Sequence, residues 1–256
     1  MKQNPRSAQI ISYLLAGSLL ITLALSCQRR PEDPPRSGST IDADKFFVRP
    51  TAEHARQHET IDESHSIIVT LVPDGKLFLD RDPVAQATLG ENLKSRLATG
   101  PPPLVFLSID RFVKFSLVAT VADIAFEAGA EGLFFIVERV DAKWPNVYGF
   151  ECGRPVKRSE PGVCFLVTLE PGRNQSLEVS INDRGFASVS ELVANLPEIL
   201  KGAAPSDRHI FVKPGNEVSY RDVIDLLDGA TDAGTESFAL WTPKFSKVFP
   251  PARRIR

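Results

Sequence analysis

Cysteine is scarce: three among 256 residues, which excludes a disulfide-dense scaffold. Charge of one sign is also lacking. The formal net charge of −2 supplies no field to gather nucleic acid, which is not expected as a partner. No G-K-[ST] follows the glycines of Gly129-Ala130-Glu131-Gly132, so they make no phosphate loop. There is no G-x-S-x-G, and no paired carboxylates fall in a recognisable hydrolytic pattern. These absences predict a protein that is not an enzyme and carries no cofactor. Long apolar runs are absent but for one. What is present is ordinary globular material, with 43% apolar and 24% charged residues, and length enough for one large or two ordinary domains.

The single apolar run stands at the start. Lys2 and Arg6 precede an uncharged stretch from Ile10 to Cys27, followed by Gln28-Arg29-Arg30, the layout of an export signal. Two readings are open. Ala24-Leu25-Ser26-Cys27 forms a lipobox in which Cys27 becomes the lipidated first residue of the mature protein. Alternatively, the run spans a bilayer, for which about 17–25 residues are needed. Either one places the rest of the chain in the cell envelope, membrane-anchored and facing the periplasm. Residues 28–65 read as a Pro-rich, polar linker. In an oxidising compartment Cys152 and Cys164, which flank a polar loop, are candidates for a disulfide.

Beyond the linker one pattern occurs twice. Ile67–Val72 and Lys76–Asp80 read as a hairpin about Pro73-Asp74-Gly75. Leu89, Leu93 and Leu97 fall four apart, on one face of a helix from Val84 to Leu97. Leu104–Ile109 reads as a buried strand. A helix capped by Ser116 ends at Gly129, and Leu133–Val137 closes the unit. In the second unit Val163–Glu170 and Ser176–Ile181 make the hairpin, Ser188–Leu200 a helix, and Ile210–Val212 a strand. Ser219 with Asp222 resembles a capping box opening a helix that ends at Gly234; Ser237–Trp241 is the last strand. At an offset of 105, Phe106, Val113, Phe115, Val118, Asp123, Ala125 and Gly129 fall on Phe211, Val218, Tyr220, Val223, Asp228, Ala230 and Gly234. Val69-Thr70-Leu71 recurs as Val167-Thr168-Leu169. The expected fold is α+β: two tandem ββαβαβ modules, each a small sheet with two helices on one face, behind an N-terminal apolar helix and a linker. Boundaries are 1–27 (signal or anchor), 28–65 (linker), 66–140 (module 1), 141–162 (connector), 163–243 (module 2) and 244–256 (basic tail).

The run Val69 to Gly75, with Ile109-Asp110, Val113-Lys114-Phe115 and Ala128-Gly129, resembles the ExbD/TolR family of biopolymer-transport proteins. Val218-Ser219-Tyr220 and Ala233-Gly234 repeat it, although Pro214-Gly215 stands where Ile109-Asp110 does. The resemblance implies a non-enzymatic transport component of the envelope that docks ExbB/TolQ-like or TonB-like proteins, or peptidoglycan, with Asp110 as a partner-binding residue. It also implies an internal pseudo-dimer, since the family's domains pair. One departure bears on mechanism. The family's anchor carries a membrane-embedded Asp, costly there and kept for function, whereas Ile10–Ser26 contains no Asp or Glu. A stand-alone periplasmic adaptor or cell-wall-binding lipoprotein is the alternative. A third reading is metal binding by His54, His58 and His65, the first two spaced i and i+4 as a helical metal site requires.

Overall fold

A computed structural model describes residues 47–58, 66–98, 104–139, 147–153, 164–172, 176–242 and 244. Cys27, the apolar run, His65 and the tail after Lys244 lie outside the described residues. Among the described residues no helix is long and apolar enough to cross a membrane.

The strands are β1 (Arg56–His58), β2 (Ile67–Leu71), β3 (Leu77–Leu79), β4 (Asp82–Val84), β5 (Leu104–Ile109), β6 (Gly132–Val137), β7 (Val147–Gly153), β8 (Cys164–Pro171), β9 (Leu177–Ile181), β10 (Arg184–Phe186), β11 (His209–Pro214) and β12 (Ser237–Leu240). The helices are α1 (Gln86–Leu97), α2 (Phe115–Ala128), α3 (Val189–Leu200) and α4 (Tyr220–Asp232). The twelve strands of the described residues belong to one mixed sheet, ordered β10-β9-β8-β11-β12-β7-β6-β5-β2-β3-β4, with β1 beside β7.

This corrects the expectation of two small ββαβαβ sheets. The sheet is continuous because β7, assigned above to a connector, joins the halves: it is antiparallel to β6 and parallel to β12. Each half also has a third antiparallel strand before its first helix, β4 or β10. Residues 47–58 are not a solvated linker either. Ala52 and Ala55 are buried, and β1 pairs with β7.

Why these residues form these elements follows from their periodicity. Val69, Leu107, Leu133, Phe135, Cys152, Val167, Val212 and Leu240 alternate along their strands toward one face. That face meets Leu89 and Leu93 of α1, Val118 and Ala122 of α2, Leu192 and Leu196 of α3, and Val223 and Leu227 of α4 in one continuous core. Each fully buried Leu among them contributes roughly 2 kcal/mol of transfer free energy. Helix ends follow local chemistry. The Ser188 and Ser219 side chains accept from the Glu191 and Asp222 amides at 3.1 and 3.2 Å. The N-cap of α2, in contrast, is Lys114 without a side-chain cap, rather than Ser116. Gly129 closes α2 at φ 111°, a left-handed conformation that favours glycine.

The two halves correspond residue by residue. In the sheet Val69 stands opposite Leu107, and Val167 opposite Val212, which is Leu107 shifted by 105. Leu89, Leu93 and Leu97 recur as Leu192, Leu196 and Leu200 at an offset of 103. Asp80 and Asn182 both take positive φ, 58° and 48°. Each side chain accepts from the matching strand amide, Ile68 at 3.0 Å and Leu166 at 2.9 Å. Ala130 and Thr235 amides return to Ala125 and Ala230, each at 3.0 Å.

The halves also meet through equivalent residues. The Phe115 amide donates to the Val218 carbonyl at 2.7 Å, and the Tyr220 amide to the Val113 carbonyl at 2.8 Å. Between these bonds Lys114 faces Ser219 in an antiparallel bridge. Positions 113 and 115 map onto 218 and 220, so the contact is isologous, the pattern of a twofold interface. β7 and β1, which occur once, break that symmetry.

Candidate functional site

The carboxylates singled out by sequence serve the chain itself. Asp110 is wholly buried at the end of β5. Its Oδ2 accepts the Val48 amide at 2.7 Å and its Oδ1 the Phe112 amide at 2.9 Å. The Arg111 amide donates to the Val48 carbonyl at 2.9 Å. Arg49 Nε donates to Ser108 Oγ at 3.0 Å. Val48 is thus clamped on both sides of its backbone, and each Asp110 oxygen accepts one amide of its own chain.

Asp123 and Asp228, a pair matched at offset 105, do related work. Asp123 accepts the Thr242 hydroxyl and, at 3.3 Å, the Lys244 amide. Asp228 accepts the Glu53 and His54 amides at 3.1 and 2.6 Å. One ties down the chain leaving the second half, the other the chain entering the first. Nearby on α4, burial raises the Asp225 carboxyl above its ordinary range, opposed by the Arg221 charge.

His54 and His58 have different surroundings. His54 lies between Asp228 and Asp232, at 3.5 and 3.4 Å. His58 packs edge-on against Phe106 and Phe134, with ring centroids 5.1 and 5.0 Å apart. Arg56–His58 is strand and His54 lies in a bend before it, so the helix that would bring i and i+4 to one face is not formed. Among the described residues no three His, Cys, Asp or Glu side chains cluster as metal ligands.

The proposed disulfide is corrected. Cys152 is a free, buried thiol. Its β7 position pairs with Phe238 of β12, that residue with Ile210 of β11, and that with Phe165 of β8, beside Cys164. Three strand spacings, about 14 Å, exceed the roughly 7 Å that a disulfide spans between Cα atoms. Burial, followed by the Glu151 charge, pushes the Cys152 thiol well above its ordinary range.

A cleft of about 270 Å³ opens where α2 begins and β8 and β11 end, lined by Phe115, Ser116, Glu170, Lys213, Asn216 and Trp241 among others. Sequence reasoning missed it. Lys213, Gly215 and Asn216 are the offset-105 counterparts of Ser108, Asp110 and Arg111, the residues that hold Val48 and Arg49 in the first half. The substitution of Gly215 for Asp110, visible in the sequence, was the signal.

No protein-family model matches the chain, and no curated protein matches it.

Proposed function

We propose that the chain is a non-enzymatic component of the cell envelope, of the ExbD/TolR transport type, that docks partner proteins through its duplicated exported domain. The observation that carries this reading is the isologous contact across Lys114 and Ser219. It pairs two copies of one unit inside a single chain, so a twofold docking surface forms without concentration-dependent association. The buried carboxylates support a scaffold role, because Asp110 and Asp123 are occupied by the protein's own amide and hydroxyl donors. An N-terminus anchored through Cys27 or as a spanning helix would hold this surface at the membrane. Partners are ExbB/TolQ-like or TonB-like proteins, or peptidoglycan.

The absence of Asp and Glu from Ile10–Ser26 favours one variation: a periplasmic adaptor or cell-wall-binding lipoprotein that conducts no protons. Purification of native and Cys27→Ser chains from membranes, with identification of what co-purifies, tests both. The expected result is a chain monomeric by light scattering, carrying envelope transport proteins in the first case and peptidoglycan fragments in the second. A dimeric chain, or one that brings down neither, overturns the reading.

A further inference from the structure

The two halves differ at the matched pair Asp110 and Gly215, and among the described residues the second half has no occupant there. In the first half Val48 is held by two backbone bonds, its amide to the Asp110 carboxylate and its carbonyl from the Arg111 amide. Arg49 then reaches Ser108. In the second half Gly215 has no carboxylate, but one occupies the same space: a Cβ built on Gly215 would collide with Glu170 Oε2. Glu170 projects from the end of β8 and is exposed. The Asn216 amide stands where the Arg111 amide does. Both residues line the 270 Å³ cleft, with Lys213 and Trp241 beside them. An acceptor, a donor and a space for one extended residue are therefore repeated, and among the described residues no segment fills them as Phe47–Pro50 does in the first half.

The charge at the seat has changed. Where Ser108 receives Arg49, the second half presents Lys213, which is exposed and has no ion pair among the described residues. An arginine at the corresponding place in an occupant would be repelled, and a carboxylate would be attracted. Phe211 and Trp241, in edge-to-face contact at 6.3 Å, supply apolar surface on the same strand face as Lys213.

We infer that this cleft binds an extended peptide segment of a partner protein in the manner of Phe47–Pro50, with the backbone of one residue clamped between Glu170 and Asn216 and an acidic residue next, against Lys213. The inference rests on the docking reading above and names the chemistry of what is docked. Main-chain bonds give such a segment affinity, and the neighbouring side chain gives it selectivity.

The test uses full-length protein in detergent and two blocked peptides, Lys-Phe-Val-Asp-Pro-Thr and the same with Arg in place of Asp. Binding is read from saturable shifts of the Lys213, Asn216 and Trp241 amide resonances. The acidic peptide is expected to bind about threefold more tightly than the arginine peptide. Lys213→Glu should reverse that order. Glu170→Ala should weaken both by about tenfold, and Gly215→Ala, whose Cβ displaces the Glu170 carboxylate, should do the same without removing a charge. The proposal is overturned if no shift saturates up to the peptide's solubility, or if Glu170→Ala binds as the native chain does. It is equally overturned if the peptides are inert while Glu170→Ala changes the oligomeric state, which would assign the seat to a second copy. Loss of peptide binding in these variants with co-purifying partners unchanged removes this site and leaves the docking function standing. Peptide binding with nothing co-purifying does the reverse.

Discussion

The helix pair of each half is packed through one close approach, and the two halves solve it in opposite ways. In the first half Gly90 of α1 faces Ile124 of α2, whose Cγ2 would lie 3.4 Å from a Cβ at position 90. In the second half the matched positions are Val193 of α3 and Gly229 of α4. A Cβ at 229 would lie 2.5 Å from both Val193 methyls and 3.0 Å from its Cβ. Small and large residues have exchanged helices. Gly229→Ala therefore sets two effects against each other. Replacing a helical glycine gains about 1 kcal/mol, while forcing a methyl into a packed contact costs about 1–3 kcal/mol. Val193 cannot swing away cheaply, since a β-branched side chain in a helix has one strongly preferred rotamer. The contact lies inside the limit that real Cβ atoms observe, so the cost belongs at the upper end, and a net loss of about 1–2 kcal/mol is expected.

A double-mutant cycle makes the reasoning falsifiable. In a Val193→Ala background the two methyls are gone and only the Cβ at 3.0 Å remains, so the cost of Gly229→Ala should fall by about 1–2 kcal/mol, to near zero. Gly90→Ala should be stabilising at once, because 3.4 Å is close to ordinary contact. Urea denaturation of the four chains of the cycle, with Gly90→Ala alongside, measures all of this. If Gly229→Ala costs the same with Val193 or Ala at 193, the exchange of small and large residues does not govern helix packing and the argument fails.

Asp110→Ala strips acceptors from two amides, one of them holding residues 47–58. Bonds to a charged group contribute about 1.5–3 kcal/mol each, so a loss of about 3 kcal/mol is expected, with faster hydrogen exchange at Val48. An unchanged exchange rate would show that the clamp is not held by Asp110. Tyr220 is wholly buried and its hydroxyl has no partner among the described residues; the matched residue is Phe115. Tyr220→Phe should stabilise by about 1 kcal/mol in thermal or urea unfolding, and a loss would mean that the hydroxyl is satisfied. Burial raises the ionisation of both Cys152 and Tyr220. The unfolded chain ionises first, so stability is fully present below the ordinary thiol range of about 8.5 and falls as pH rises beyond it. Cys152→Ala should flatten that decline between about pH 8.5 and 10, and an unaltered slope in denaturation curves would contradict it.

The legible parts of this fold were those in which one residue type recurs at a fixed step. Leu89, Leu93 and Leu97 against Leu192, Leu196 and Leu200 gave both first helices, and Ser188, Ser219 and Gly129 mark ends because cap chemistry is local. The helix written from Val84 began too early, since Val84 pairs with Leu77 in β4. Strands of three residues, one with Pro83 and another with Gly185, carry too few side chains to show alternation. β7 failed for a different reason. Gly149 interrupts its apolar pattern, yet no Cβ fits there: it would strike the Phe135 carbonyl and the Phe134 ring. A glycine that reads as loop punctuation is what lets this central strand lie against β6. The Cys152–Cys164 pairing failed because closeness in sequence says nothing of strand order, and β12 and β11 insert between the two strands.

What the duplication could not reveal by sequence is where its copies ceased to be interchangeable. A unit that pairs with its own copy needs only self-complementary contacts, and Val113–Phe115 with Val218–Tyr220 still satisfies that need. Once both copies sit in one chain, each is free to change alone. Val193 and Gly229 stand where Gly90 and Ile124 do, with the small and the large residue on opposite helices. Asp110 and Gly215 differ without such a pairing within the sheet: the Glu170 carboxylate of the neighbouring strand lies against Gly215, and Lys213 stands where Ser108 does. The first kind of change keeps packing volume and is silent at the surface. The second alters what the surface can hold, while a residue from elsewhere still puts an acceptor in the same space. In a fold whose halves share a core, a binding specificity can be changed only where the matched position faces solvent, and the end of β11 is such a place.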